Sequence, residues 1–137
     1  MTLAARHAAI RVRFETQWAS ATPVQYPGVK DSGPPASGPW VRMTIQDAGA
    51  EWVGMGDPGN NPARYVGQVT LQIFTESGEG EGEALALADA AIAAFVSWND
   101  ATTGVRFVVP PYARQVGSDG KWYQINVVAP FRFDAFQ

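Results

Sequence analysis

The chain has 137 residues, of which 46% are apolar, 12% aromatic and 17% charged, and none is cysteine. This length suits a single domain over residues 1–137, able to bury about two thirds of its unfolded surface without a metal or disulfide staple. The lack of cysteine excludes disulfides, zinc–thiolate sites and a thiol nucleophile, and a net charge of −3 with mostly scattered basic residues excludes a surface that grips DNA.

Leu3, His7, Ile10, Phe14 and Trp18 recur at helical spacing, so the first segment reads as a helix with one apolar stripe. Thr2 is its N-cap, and Ser20-Ala21-Thr22-Pro23 ends it, because proline disfavours helical geometry in the residue before it. Its alternation of arginine and apolar residues lacks the continuous hydrophobic stretch of a signal peptide. No apolar run anywhere approaches the ~18–20 residues of a membrane span, so the expectation is a protein that is cytoplasmic where it is made, with no membrane partner.

Val24-Gln25-Tyr26 is a short extended piece closed by Pro27-Gly28, and a proline- and glycine-rich loop covers residues 28–39. Trp40 to Asp47 alternates as a half-buried strand, with Val41, Met43 and Ile45 inward. Residues 49–63 read as a second long loop, followed by a strand from Arg64 to Thr75 whose Tyr65, Val69, Leu71 and Ile73 face the core. The two strands are expected to pair as a long hairpin with a large tip.

A Gly-Glu linker, Ser77 to Glu83, leads into a helix from Ala84 to Trp98 that is apolar nearly all round. Such a helix is either buried in the domain or covered by a partner. Val105 to Val109 reads as a short strand stopped by Pro110-Pro111, and Val116 to Gly120 as a turn. The last strand, Trp122 to Phe136, points Tyr123, Ile125, Val127, Phe131 and Phe133 to one face. The order predicts an α+β fold: a mainly antiparallel sheet of four to five strands with two helices packed on one face.

Chemistry is scarce. His7 is the only histidine, lies in the apolar stripe and has no visible orienting partner, so its expected role is structural. Glu76, Glu79, Glu81 and Glu83 do not match the ligand spacing of a calcium loop, and their charge repels phosphate. Carboxylates favoured by a helix N-terminus, joined by mobile glycines, explain the run. No catalytic constellation, metal site or cofactor site is expected, and the chain does not read as an enzyme.

Two surfaces stand out. Asp57-Pro58-Gly59-Asn60-Asn61-Pro62 has ordinary turn residues, but its loop exceeds the usual length and carries Trp52, Val53 and Met55. It is a plain hairpin turn or a partner contact made by Trp52, Met55, Asp57, Asn60 and Asn61. Arg42, Thr44, Gln46, Gln68, Thr70, Gln72, Gln124 and Asn126 form a largely uncharged hydrogen-bonding sheet face. That face is either solvated or a subunit contact or lining.

Several blocks together resemble tail terminator proteins of long-tailed bacteriophages and of gene transfer agents. They are Arg13 to Trp18 (RFETQW), Thr22 to Pro27 (TPVQYP), Pro39 to Arg42 (PWVR), and Gly67 to Thr75 (GQVTLQIFT). The likeness continues through the Gly-Glu linker with Leu85 to Asp89, Trp122 to Val127 (WYQINV) and Pro130 to Arg132. The resemblance implies a structural virion protein that forms a ring of six copies on the head-proximal end of the tail tube. The ring would stop tube growth, dock the head or neck, and let DNA pass through its lumen without specific binding. The family supplies no catalytic or ligand residues to carry over. Other readings are a head-completion or neck connector of the same particle, or a small ligand-binding domain.

Overall fold

The computed structural model describes residues 2–26, 28, 35, 37–78 and 80–137. Most of the expected loop at 28–39, and Glu79 of the linker, lie outside the described residues. The elements run α1 (Leu3–Trp18), β1 (Val24–Gln25), β2 (Trp40–Trp52), β3 (Pro62–Glu76), α2 (Gly82–Phe95), β4 (Tyr112–Asp119) and β5 (Trp122–Phe136). The strands form one open sheet in the order β1-β2-β3-β5-β4, antiparallel except for the short β1–β2 pairing. This is the expected α+β architecture.

The core lies between the helices and one sheet face. Ile10, Phe14 and Trp18 of α1 and Ala84, Ala88, Ala91 and Phe95 of α2 cluster with Val41, Met43, Val69, Leu71, Ile73, Ile125, Val127, Phe131 and Phe133. The odd-numbered alternation in β3 and β5 produces this face, because successive strand side chains point to opposite sides. Ring contacts run through it as a chain: Phe14 stacks on Phe95 at 6.1 Å, Phe95 stacks on Phe107 at 4.9 Å, and Phe107 meets Phe131 at a tilt at 5.7 Å between centroids.

α1 starts as expected, with the Thr2 hydroxyl accepting from the Ala5 N–H at 3.1 Å. It ends at Trp18 because Ala19 and Ser20 turn into the left-handed region, at φ 51° and 60°. Its stripe needs correction. Leu3 is exposed and His7 only half-buried, its Nε2 lying 3.1 Å from Asp47 Oδ2. The inner position of that turn belongs to Arg6, whose guanidinium lies 3.6 Å above the Phe133 ring. An arginine can take a core-side position when its flat cation covers an aromatic face.

Three further differences concern boundaries. β2 and β3 continue into both ends of the expected second loop, pairing as far as Trp52 with Ala63, and residues 53–61 form the tip. The alternation that marks a strand is lost there, since Gln46 to Trp52 are all exposed. The backbone ladder nevertheless persists past an irregularity between Asp47 and Gly49. Tyr112 to Asp119, read in part as a turn, is instead the edge strand β4, with an irregularity between Gln115 and Gly117. Val105 to Val109 forms no strand; Arg106 alone makes isolated bridges, to Asn99 and Arg132.

α2 ends at Phe95, three residues short of the expected Trp98, ahead of Ser97 at φ 55°. It buries one stripe and leaves Leu85, Ala86, Asp89, Ala90 and Ala93 exposed. Nothing within the described chain covers that apolar side.

Gly67 of β3 tests the packing. A Cβ there would sit 2.6 Å from the Gln46 carbonyl oxygen and 2.6 Å from Phe131 Cζ. Neither the backbone oxygen nor the buried ring can move away easily, so Gly67→Ala is expected to destabilise the fold by about 1–3 kcal/mol. Urea unfolding monitored by tryptophan fluorescence measures the loss, and an unchanged midpoint would contradict this packing.

Candidate interaction surfaces

The sheet face opposite the helices carries the polar side chains of alternate residues. Register places Arg42 beside Gln72, Gln72 beside Asn126, Thr44 beside Thr70, and Gln46 beside Gln68. Arg42 Nη1 donates to Gln72 Oε1 at 3.5 Å, and Gln124 Nε2 donates to Asn126 Oδ1 at 2.8 Å. Thus Arg42, Thr44, Gln68, Thr70, Gln72, Gln124 and Asn126 do share one surface. Val128 and Pro130 interrupt it with apolar area, because they occupy the same alternate positions of β5.

At one end of this face lies an aromatic cluster that polarity patterning did not reveal. Trp40 stacks on Phe74 at 4.3 Å and meets Trp122 edge-on at 6.1 Å. The Arg42 guanidinium lies 5.3 Å from the Trp40 ring centre. The signal was present in the register, since Trp40, Phe74 and Trp122 all fall on the polar parity of their strands.

At the other end, Asp134 accepts from Arg64 Nε at 2.9 Å and Nη2 at 3.2 Å, and from Arg106 Nη2 at 3.1 Å. The hydrogen bonds and charge of Arg64 hold the Asp134 carboxyl below its ordinary range, against a smaller opposing effect of burial. A carboxylate whose pKa is lowered by folding stabilises the fold above its unfolded pKa, about 3.9, and loses that contribution as the pH falls through its folded value. Asp134→Asn is therefore expected to lower stability at neutral pH and to flatten the acid limb of the stability curve below about pH 4. An acid limb as steep as that of the unmodified chain would exclude Asp134 as its source.

The far end of the β2–β3 hairpin forms an arm in which β2 is exposed from Gln46 to Trp52 while β3 stays paired with β5 as far as Pro62. Its tip exposes Trp52, Val53 and Met55, the last with 82% of its surface open. Asp57, Asn60 and Asn61 largely bond one another. The Asp57 N–H donates to Asn61 Oδ1 at 2.9 Å, Asn60 Nδ2 donates to Asp57 Oδ2 at 3.3 Å, and the Asn60 N–H donates to the Asp57 carbonyl at 2.9 Å. Asn61 also exchanges both backbone hydrogen bonds with Gln137, so β5 braces the arm along its length. The turn residues thus hold the tip's shape, while Trp52, Val53 and Met55 provide its apolar surface.

The acidic linker is tied to the β4–β5 turn and to β5: the Ser77 N–H donates to the Lys121 carbonyl at 2.7 Å, and the Tyr123 hydroxyl donates to Glu81 Oε2 at 2.9 Å. The bond to Glu81 raises the Tyr123 pKa. Among the described residues no group of three or more histidine, aspartate or glutamate side chains could hold a metal ion, and no helix is long and apolar enough to cross a membrane.

A family model described as phage tail terminator protein matches residues 6–131. No curated protein sequence matches significantly. One matching solved structure is 21% identical, with a TM-score of 0.67 over 96% of this chain and 95% of that chain. Another is a chain in the virion of a native gene transfer agent particle, 19% identical, with a TM-score of 0.55 over 92% of each chain. At these identities both likenesses are of fold.

Proposed function

From the premise that the chain belongs to the phage tail terminator family, whose members are structural components of the tail, we propose that it caps the head-proximal end of the tail tube as a ring. The family match over residues 6–131 is the observation that carries this reading. The ring, of six copies, covers the growing end of the tube, so no further tube subunit can add, and presents a different surface to the head-completion or neck protein.

The mechanism is steric and interfacial. Trp52 and Met55, held out on the arm by the turn of Asp57, Asn60 and Asn61, contact the tube or the neck. Exposed apolar side chains on a braced support suit this role, since little conformational entropy is lost when they are covered. The face of Arg42, Thr44, Gln68, Thr70, Gln72, Gln124 and Asn126 meets a neighbouring copy or lines the ring. Each copy carries a net charge of −3, so the ring is acidic overall and DNA passes through its lumen without specific binding. Subunits are made in the host cytoplasm and end in the virion.

Disrupting the gene in the producing strain and imaging particles by negative-stain electron microscopy tests the proposal. Overlong or ragged tails beside tailless filled heads are expected. Tails of normal length that never join heads would move the protein to the neck, and normal joined particles would end the virion role.

A further inference from the structure

The sheet ends in two strands whose outer edges are open. β4 stands last in the strand order, and every residue from Tyr112 to Asp119 is exposed except the half-buried Gly117. On the other side, β1 pairs with β2 only at Val41 and Arg42, and β2 runs on to Trp52. Among the described residues, no backbone hydrogen bond reaches β4 or the Thr44–Trp52 part of β2 from outside, and His7 meets Asp47 through side chains alone. An open edge presents a row of unpaired N–H and C=O groups, which sheets commonly guard with lysine or proline. Neither stretch contains either residue.

The two edges fit one another. β2 and β5 both run against β3, and β4 runs against β5, so β2 and β4 have opposite directions. In a ring whose wall is this sheet, β4 of one copy therefore meets β2 of the next as an antiparallel pair. Each strand has one irregularity against its inner neighbour, between Asp47 and Gly49 and between Gln115 and Gly117. With Ala113 set opposite Ala50, the two irregularities fall in the same stretch and cancel. The ladder then runs unbroken from Tyr112 opposite Glu51 to Asp119 opposite Thr44, with no like charges facing each other. Arg114 and Gly49, like Gly117 and Gln46, lie on the polar face, and Ser118 and Ile45 lie on the helix side, so both strands keep their faces.

The stagger also suits closure. Within one copy Tyr112 stands level with Thr44, through Val128 and Thr70. Setting it opposite Glu51 moves the next copy along the strands by about six residues, roughly 20 Å, over four strands spanning roughly 19 Å. The slope of about 45° lies at the upper end of the strand tilts found in closed barrels.

We infer that β4 of one copy pairs with the Thr44–Glu51 edge of β2 of a second copy, joining the sheets of the ring into one closed barrel. The inference rests on the ring reading and names its subunit contact. The helix layer then takes the outside, where the circumference is greater, and the face of Arg42, Gln72 and Asn126 lines the lumen. Because the ladder stops at Glu51, Trp52 and Met55 stay free for a different partner.

The chain has no cysteine, so introduced thiols report a single contact. Opposed residues of an antiparallel pair have Cα atoms about 4.5–5.5 Å apart, within the reach of a disulfide. Ala50 and Ala113 are exposed, so cysteine at either position should leave the melting temperature unchanged. Rings of the double variant Ala50→Cys, Ala113→Cys, on tail ends or in solution, are mildly oxidised and run in denaturing electrophoresis without reductant. The expected result is a series of covalent oligomers reaching the copy number of the ring. A one-to-one mixture of the two single variants should stop at dimers. Ala90→Cys with Ala113→Cys, which tests the outer face of α2 instead of β2, should stay monomeric.

Rings whose Ala50→Cys, Ala113→Cys chains remain monomeric would overturn the pairing and leave the ring reading standing. Dimers of the Ala113→Cys chain alone would show β4 meeting β4 in a two-fold contact, which also overturns it. If the unmodified chain forms no ring on tube ends or in solution, the ring reading fails first, and the pairing with it.

Discussion

Particles in which Trp52→Ala is combined with Met55→Ala are expected to carry a normally folded subunit that no longer attaches. Both side chains are exposed, and Trp52 pairs with Ala63 through backbone alone, so stability should change by no more than about 0.5 kcal/mol. Tryptophan anchors at interfaces commonly contribute 2 kcal/mol or more, roughly a thirtyfold change in affinity, and the loss of Met55 adds to it. The check is a melting curve of the purified variant together with a count of joined particles from a strain producing it. A lowered melting temperature with attachment unimpaired would show that these residues serve folding and that the arm contacts its partners by other means. The single variants separate the two side chains, and Trp52→Phe asks whether an aromatic ring alone suffices.

The largest effect on stability is expected at Phe14. This ring has no exposed surface and stacks on Trp18 at 5.0 Å and on Phe95 at 6.1 Å, linking α1 to α2. Truncating a buried phenylalanine to alanine costs about 3–5 kcal/mol, from lost transfer free energy and from the cavity left behind. Domains of this kind are stable by only about 5–15 kcal/mol, so Phe14→Ala should remove much of the margin. The urea midpoint should fall with an unchanged slope, since the surface exposed on unfolding hardly differs. Phe14→Leu should recover part of the loss by refilling most of the volume. A Phe14→Ala variant within 1 kcal/mol of the unmodified chain would mean that α1 is not anchored through this ring.

These two sites differ in how visible they were in the sequence. Phe14 belongs to a helical stripe, and the alternation from Trp122 to Phe136 gave both ends of β5, because a side chain's direction follows directly from backbone period. Trp52 was noticed as an exposed aromatic but placed in a loop. There β2 is exposed on both faces, so no alternation accompanies it, and its pairing to β3 is purely a matter of backbone. The same physics hid β4, whose residues are nearly all exposed and whose Gly117 and Gly120 read as a turn. Arg6 was hidden for another reason. A stripe defined by apolar residues passes over an arginine, and only the proximity of Phe133, far along the chain, makes the inner position tolerable. The polar sheet face was legible as a surface, while its aromatic end was not, because Trp40, Phe74 and Trp122 come together only through strand register. What such a surface binds is not encoded in periodicity at all; it depends on the shape of another molecule.

The placement of β5 between β3 and β4 has a consequence for timing. The β2–β3 hairpin is local and can form as soon as its residues are available. Its second neighbour, β5, is synthesised only after α2 and β4, so this pairing closes a longer stretch of chain and costs more chain entropy than the hairpin does. Until β5 arrives, β3 has an open flank and the arm lacks its brace at Asn61. A nascent or truncated chain without β5 and Gln137 therefore lacks both the second ladder of β3 and the brace of the hairpin tip.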